Sequence, residues 1–331
     1  MMSRYFNKNI YDPQYEKKEM IELFEDEMTL IVGDFWGIQN FIFDRLSTKN
    51  AAKVLRSKSA FIQIFTEVLA RYICHKLEID EKYILTTNAG KFEILAPLKD
   101  IDLSDVQKKV DTYFLENFYG LSGVIICSAD ITRDEWRDDY RTLREKIAKK
   151  VEFAKYRKFD LIHKNPILQY EDGIDNQALC KICNIRKIET ENCRICNIFK
   201  DLAKRLTQND VQKISSDELG IVFDKYTVAI NIDKKMKSYI PKKEYGEPLT
   251  FEEIANNSCK NSETGIEALG ILKADVDGMG KFIKDGSDVT KRFENFDEFS
   301  KWLDSFFSLY VPALLRKEYR NIYTRFLLKP Q

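Results

Sequence analysis

The chain has 331 residues, enough for two or three domains at roughly 100–200 residues each. Hydrophobic residues make up 44% and charged residues 32%, a composition that excludes a disordered chain. The 53 basic residues balance 53 acidic ones, so the chain has no net charge that would attract nucleic acid or membranes. Because the sequence shows no secretory signal and no apolar run of ~20 residues, we expect a cytoplasmic protein without membrane contact.

A mixed helix and strand pattern follows an N-terminal extension. A strand over residues 28–33 leads into a turn from Gly33 to Gly37 and then into a helix from about Ile38. Periodicity further predicts, in chain order, a helix over 59–77, a hairpin of strands 82–86 and 91–96, a helix over 104–117 and a strand over 123–129. This order of strands and helices is the ferredoxin-like arrangement.

A charged helix ends this first unit. From Arg133 to Asp160 it carries ten lysines and arginines and seven acids, which is typical of a solvated helix face. Residues 241–263 are polar and predict a linker, and a strand over 268–274 then begins a second strand-turn-helix unit. We therefore predict an α+β chain with four parts: an extension (1–27), a first domain (28–160), an insert with linker (161–263) and an incomplete second domain (264–331).

Two CxxC pairs lie in the insert, with nine residues between them. They consist of Cys180, Cys183, Cys193 and Cys196. Four thiolates from two tight turns suit a tetrahedral zinc site, and a closed four-cysteine set indicates a structural rather than catalytic metal. Redox or disulfide use is the alternative. We expect Cys193→Ser to loosen residues 166–205 while the first domain stays folded.

An acidic pair ends the predicted strand over 268–274. Asp275 and Asp277 are followed by Gly278 and Gly280, and such a strand end can hold Mg²⁺ while the backbone approaches a triphosphate. On its own a DxD pair at this position is more often structural, so its weight depends on the surrounding sequence.

Five segments, taken in order, resemble one family. They are GDFWGIQNFIF from Gly33, AAKVLRSKSAF from Ala51, AGKF from Ala89, the double CxxC, and LKADVDGMG from Leu272. They are similar to motifs of the large, palm-domain subunit of type III-A CRISPR effector complexes, the Csm type, which read GDISGIQ-FIF, AAK-LRGRSF, GGKF and DVDNLG. The resemblance covers residues 29 to 324.

This resemblance implies two palm domains of the nucleotidyl-cyclase kind, separated by a zinc-containing insert. The family joins ATP into cyclic oligoadenylates when target RNA binds, with Mg or Mn as cofactor. Other Csm subunits, guide RNA, target RNA and ATP are the implied partners. Asp275 and Asp277 would be the metal ligands, and nucleotide would be bound by glycines and neighbouring residues of both palms. These are Gly33, Asp34, Gly37, Ile38, Gln39, Gly278 and Gly280.

The sequence departs from the family at several points. Trp36 stands where the family has serine, and the family's N-terminal HD nuclease domain is not recognisable. The second palm should carry Gly-Gly-Asp-Asp after the segment NIYT, yet residues 325–331 read RFLLKPQ. The resemblance therefore implies a truncated subunit, and we expect the isolated chain to be inactive as a cyclic oligoadenylate synthase.

Two other functions remain open on this sequence. One is a non-catalytic, zinc-containing RNA-binding scaffold of a ribonucleoprotein, and the other is a zinc ribbon on a ferredoxin-like RNA-binding domain unrelated to CRISPR systems. A basic stretch from Asp44 to Lys58 would contact phosphates of ATP or RNA, the simpler interpretation being a solvated helix face. Its cations are Arg45, Lys49, Lys53, Arg56 and Lys58.

Overall fold

The structure is a computed structural model of the chain. It describes residues 27–43, 51–88, 90–162, 179–206, 211–221, 223–231, 243, 249–258, 267–270, 276–279, 281–282, 291–311 and 314. No helix in these ranges is both long enough and apolar enough to cross a membrane.

A four-stranded antiparallel sheet forms the centre of the first unit. Its strands are β1 (Glu27–Trp36), β2 (Ile84–Asn88), β3 (Lys91–Ala96) and β4 (Gly123–Thr132), in the spatial order β2-β3-β1-β4. Helix α1 (Ile38–Phe43) and the long helix α2 (Ala51–Lys76) connect β1 to β2, and α3 (Ser104–Phe118) connects β3 to β4. This is the ferredoxin-like topology that the sequence predicts.

The two faces of the sheet have separate apolar cores, because successive β1 side chains point to opposite faces. Ile31 and Phe35 face α2 and α3, where Phe35 packs edge-on against Phe65 and Phe114. On the other face Met28, Leu30 and Val32 pack under α4 (Arg133–Asp138) and α5 (Tyr140–Tyr156). The inward side chains of these two helices are Trp136, Tyr140, Leu143, Ile147 and Val151.

The predicted turn from Gly33 to Gly37 is wrong in extent. Strand β1 continues through Trp36, since every residue from Glu27 to Trp36 has a partner on β4. Only Gly37 leaves the strand, with a φ of +72° that favours glycine. The ten-residue strand pairing outweighs the local turn signal of the two glycines.

The cysteine segment is continuous with the first core. It leads into α6 (Arg194–Arg205) and a hairpin of β5 (Val211–Ser215) and β6 (Thr227–Asn231). Phe199 of α6 packs edge-on against Phe61 of α2, with ring centroids 5.6 Å apart. Phe223 stacks on Tyr72 at 5.1 Å. One apolar core therefore crosses the predicted domain boundary at residue 160.

The part of the chain predicted as a linker contains a helix. Helix α7 (Phe251–Ser258) begins with a reciprocal cap, in which Glu253 accepts from the Thr250 N–H and Thr250 accepts from the Glu253 N–H. Helix α8 (Phe293–Ser305) continues as a π-helical turn to Tyr310. Of the predicted strand 268–274, residues 271–274 lie outside the described residues, and 268–270 are irregular and exposed.

A buried polar link protects the edge strand β4. The Gln107 side chain donates to the Val124 carbonyl at 2.8 Å and accepts from the Ile126 N–H at 2.8 Å, which pairs backbone groups on the sheet edge. The same amide donates to the Asp111 carboxylate at 2.9 Å. Asp111 is 3% exposed, and burial raises its pKa to about 6.

Replacing Asp111 with asparagine is expected to stabilise the protein at pH 8 by ~1–2 kcal/mol. The folded-state pKa lies above the ordinary value, so the native state binds the proton more tightly and stability is lost as pH rises from about 4 through 6. Asparagine removes that loss and keeps an acceptor for Gln107. Urea unfolding at pH 5 and pH 8 measures the difference, and Asp105→Asn on the exposed side of the same helix is the control. Destabilisation of Asp111→Asn at pH 8 would show that the carboxylate is favourable as an anion.

Candidate functional site

The four cysteines of the two CxxC pairs form one cluster. The sulfur atoms of Cys180, Cys183, Cys193 and Cys196 all lie within 4.8 Å of one another, and the Cys183 and Cys193 sulfurs are 3.8 Å apart. Four sulfurs at ~2.3 Å from a tetrahedral zinc would be separated by about this distance. The set can therefore hold a zinc ion, and it gives the ion four thiolate ligands.

Local backbone geometry positions these thiols. Cys193 is the N-cap of α6, and its sulfur accepts the Cys196 N–H at 3.4 Å. The Cys180 N–H donates to the Arg186 carbonyl, and the Asn184 N–H returns to the Cys180 carbonyl. Hydrogen bonds from Cys193 and Cys196 hold the pKa of the Cys183 thiol well below its usual range, whereas the bond to Cys183 raises the pKa of Cys193 to about 11. Local hydrogen bonds therefore fix the backbone of each CxxC turn and bring the sulfurs into contact.

Two arginines fasten the cysteine module to the sheet domain. Arg186 donates to the Asn117 carbonyl, and Arg194 donates to the Asn117 side-chain oxygen at 2.9 Å. The Arg186 guanidinium also lies 4.9 Å from the centre of the Tyr119 ring. The end of α3 is therefore the polar docking point of the module, beside the apolar contact of Phe199.

The predicted nucleotide-binding residues of the first domain do not share one face. Gly33 faces the Phe92 ring so closely that a β-carbon there would lie 1.9 Å from a ring atom. Its neighbour Asp34 points to the opposite face, under α5. Ile38 contacts the hairpin at Gly90, whereas Gln39 is exposed on the first turn of α1. Gly33 makes room for an aromatic ring, so the structure gives it a packing role independent of any ligand.

Asp34 is engaged by a lysine that sequence analysis did not single out. Its buried carboxylate accepts from the Lys155 ammonium at 2.8 Å, and Lys155 also pairs with Glu152 at 2.8 Å. Burial would lower the pKa of Lys155, but its hydrogen bonds to the two carboxylates raise it. Lys91, directly opposite Asp34 on β3, is half-buried, and its partial burial lowers its pKa. The Lys155 ammonium therefore lies directly against the Asp34 carboxylate.

Trp36 closes the same end of the sheet. Its indole packs on Gly123 of β4, with the Phe159 ring edge-on at 6.0 Å and the Lys158 ammonium 4.1 Å above the indole ring. The turn after α5 thus covers Trp36. No signal in the local sequence predicts these contacts, because the partners of Trp36 lie far from it along the chain.

The structure describes only part of the acidic segment predicted to bind metal in the second palm. Asp275 and Gly280 lie outside the described residues, and Asp277 and Gly278 lie in an exposed turn. Gly278 has a φ of +67°, which favours glycine there. The assignment of Asp275 and Asp277 to metal binding, and of Gly278 and Gly280 to nucleotide binding, remains a prediction.

The basic stretch before and within α2 is not simply a solvated face. Arg45 and Lys49 lie outside the described residues, and Lys53 is exposed. Arg56, however, is only 6% exposed, and two of its guanidinium nitrogens have no hydrogen-bond partner among the residues that the structure describes. The simpler interpretation therefore holds for Lys53 and fails for Arg56.

Two family profiles match the chain, in the order of the sequence motifs. Residues 27–173 match the profile described as Csm1 subunit domain B. Residues 268–325 match the profile of the second palm domain of Cas10/Cmr2. The matches lie on either side of the cysteine module.

Whole-chain relatives are Cas10/Csm1 proteins of subtype III-A, named single-strand-specific deoxyribonucleases. The protein of Methanocaldococcus jannaschii is 24% identical over an alignment that covers 94% of this chain and 49% of the relative. That of Enterococcus italicus is 23% identical and covers 94% of this chain and 45% of the relative. The chain spans about half the length of these relatives.

Solved structures share the fold. Crystal structures of a Csm1-Csm4 cassette with cA3 and with one ATP each align with a TM-score of 0.62 at 19% identity, over 89% of this chain and 41% of the solved one. The strand order of the first domain, the two family profiles and the whole-chain relatives agree with one another. The chain is therefore related to the Cas10/Csm1 large subunits of type III-A CRISPR systems.

Proposed function

We propose that this chain is the palm-bearing part of a large subunit in an RNA-guided type III-A antiviral complex. Its partners are other Csm subunits, guide RNA, target RNA and ATP. The observation that carries the proposal is the match of nine-tenths of the chain to Csm1 in Csm1-Csm4 cassettes, one of which contains ATP and others cyclic oligoadenylates. In the complete subunit of this family, ATP would be converted to cyclic oligoadenylates.

The roles proposed for the residues follow from their chemistry. Asp275 and Asp277 would hold Mg²⁺ or Mn²⁺, which neutralises charge during phosphoryl transfer. Gly278 and Gly280 would allow the backbone to approach the phosphates. In the first palm, Gly37, Ile38 and Gln39 lie at the end of β1, where nucleotide would bind, and Gly33 and Asp34 would shape that end from the two faces of the sheet. The four cysteines would hold a structural zinc ion.

We further propose that these 331 residues do not polymerise ATP by themselves. Metal-assisted phosphoryl transfer needs carboxylates around the metal from more than one side. The sequence contains no Gly-Gly-Asp-Asp, and Asp34 of the first palm is already neutralised by Lys155. The chain would therefore bind partners and nucleotide without completing a catalytic site.

The test is co-expression of the chain with the other Csm subunits and a guide RNA. We expect a complex that contains this chain and, after addition of target RNA, Mn²⁺ and radiolabelled ATP, no oligoadenylate. Target-dependent oligoadenylate that disappears in Asp277→Ala but persists in Asp201→Ala, an exposed acid of α6, would show that the chain is an active synthase. Failure of the chain to enter any complex would overturn the proposed role.

If a complex forms in which ATP does not bind at all, the chain is the non-catalytic scaffold that the sequence left open. The arrangement that favours this alternative is the lysine beside Asp34 together with the covered indole of Trp36. Equilibrium dialysis of the assembled complex with labelled ATP separates the two functions.

A further inference from the structure

The outward face of α5 carries two bulky aromatic side chains in water. Phe153 is 65% exposed and Tyr156 is 88% exposed, on a helix whose opposite face packs on the sheet through Leu143, Ile147 and Val151. At 100° per residue, the positions 146, 149, 153 and 156 follow one stripe along the solvent side. Both aromatics therefore stand on the same exposed surface and belong to neither apolar core.

Cations surround these aromatics. We call this surface the basic–aromatic stripe, and all its members are exposed. They are Lys146, Lys149, Lys150, Phe153, Tyr156 and Arg157. The only acid from residue 146 to residue 158 is Glu152, whose carboxylate turns to Lys155 at 2.8 Å. The excess of cations in the segment 133–160 therefore lies in its second half, because residues 133–146 carry five cations and five acids, whereas residues 147–160 carry five cations and two acids.

Contacts at the edges of the stripe hold its cations in place. The Lys150 ammonium donates to the Ser128 carbonyl of β4 at 3.1 Å. Arg157 pairs with Asp160 at 2.8 Å, and Lys146 lies 3.5 Å from Glu135. The stripe therefore lies on a helix that packs on the sheet, and three of its cations are engaged by contacts at its edges.

The chemistry of the stripe favours a polyanion with flat apolar groups. Aromatic residues are enriched in protein interfaces as well, but lysine is depleted there, so it is the lysines of the stripe that favour a polyanion over a protein partner. Single-stranded nucleic acid, in contrast, combines a phosphate backbone with bases whose faces stack on aromatic rings, and proteins that bind it interleave cations and aromatics in this way. In a duplex the bases are stacked on one another, so a duplex would contact the stripe only through its phosphates and the cations.

We propose that the basic–aromatic stripe of α5 is a binding surface for single-stranded nucleic acid, in which Phe153 and Tyr156 stack on bases and the lysines contact phosphates. The surface lies apart from Asp34, from the acidic segment at Asp277 and from the cysteine cluster. This inference goes beyond the proposed function and does not require ATP binding or complex assembly. Its failure would leave the proposed function untouched.

The experiment measures binding of fluorescein-labelled 12-nucleotide RNA, DNA and RNA duplex to the purified chain by anisotropy. We expect Phe153→Ala with Tyr156→Ala to weaken single-strand binding at least about tenfold and to leave the duplex nearly unaffected. Comparison of the RNA and DNA arms shows which strand is preferred. Trp302→Ala, which removes an aromatic of similar exposure on α8, is the matched control and should change nothing.

Salt dependence separates the two parts of the surface. Lys149→Gln with Lys150→Gln should reduce the slope of log K against log salt by about 1.4, while the aromatic double variant keeps the slope. Lys108→Gln with Lys213→Gln, two exposed lysines elsewhere, should not change it. Equal affinity of wild type and both stripe variants for single strands would overturn the proposal. So would loss of self-association in the aromatic variant without a change in oligonucleotide affinity, because the stripe would then be a protein contact.

Discussion

Replacing Cys196 with serine is expected to remove zinc from the protein and to destabilise the whole first core, not the cysteine module alone. Four thiols within 4.8 Å repel one another once ionised, so the cation and the local fold stabilise each other. The module shares its apolar core with the sheet domain through Phe199 and Phe61. We therefore expect a loss of more than ~4 kcal/mol in the free energy of unfolding, a size typical of a lost structural metal.

Elemental analysis and urea unfolding test this expectation together. Wild-type protein purified under reducing conditions should contain one zinc per chain, and Cys196→Ser should contain much less. Cys127→Ser is the matched control, because Cys127 is a half-buried thiol of β4 outside the cluster. Absence of zinc from the wild type would contradict the site. If Cys196→Ser loses zinc but the sheet domain unfolds at the same urea concentration as in the wild type, the first domain folds independently of the cysteine module, as the sequence alone predicts.

That earlier expectation shows where sequence reasoning stops. The spacing of Cys180, Cys183, Cys193 and Cys196 predicts one cluster, since each CxxC turn fixes two sulfurs locally, and the structure brings all four together. Whether the cluster stands alone depends on what α6 packs against. An aromatic contact between Phe61 and Phe199 joins residues 138 positions apart, and no local pattern encodes it.

Local signals predict elements well where periodicity is strong. The helix predicted over 59–77 is present as the later part of α2, which already begins at Ala51. The predicted hairpin around Gly90 is also present, but its first strand is Ile84–Asn88 rather than 82–86. Strand pairing overrides the turn expected from Gly33 to Gly37, because β4 pairs with β1 to its last residue. The pattern of the sequence predicts a linker where the helix over 251–258 lies, although Thr250 and Glu253 form a capping box that signals a helix start.

Charge pairing across the fold is the other part that sequence cannot predict. The sequence predicts that Asp34 lines a nucleotide pocket at the end of a strand. In the structure its partner is Lys155 of α5, which lies 121 positions away in the sequence. Only the packing of α5 on the sheet brings Lys155 to it. The same packing turns Phe153 and Tyr156 outward, so the position of a possible binding surface also depends on tertiary structure.

Replacing Lys155 with methionine is expected to destabilise the protein by ~2 kcal/mol at pH 7, because Asp34 would stay buried without its closest cation. Methionine keeps most of the side-chain length, so the change removes charge rather than packing. Lys91 lies opposite Asp34 on β3 and limits the loss, since it still offers a positive charge nearby. Lys149→Met, the same substitution on the exposed side of α5, should cost less than ~0.5 kcal/mol.

A double-mutant cycle assigns the effect to the ion pair. Asp34→Asn leaves an amide that needs no counter-charge, so the double variant Asp34→Asn with Lys155→Met should be more stable than Lys155→Met alone. A coupling energy above ~1 kcal/mol would show that Lys155 neutralises Asp34 in the folded protein. If the two single effects simply add, Lys155 does not stabilise the buried carboxylate. The cycle therefore decides whether the Lys155 ammonium or another group compensates the charge of Asp34 at the end of β1.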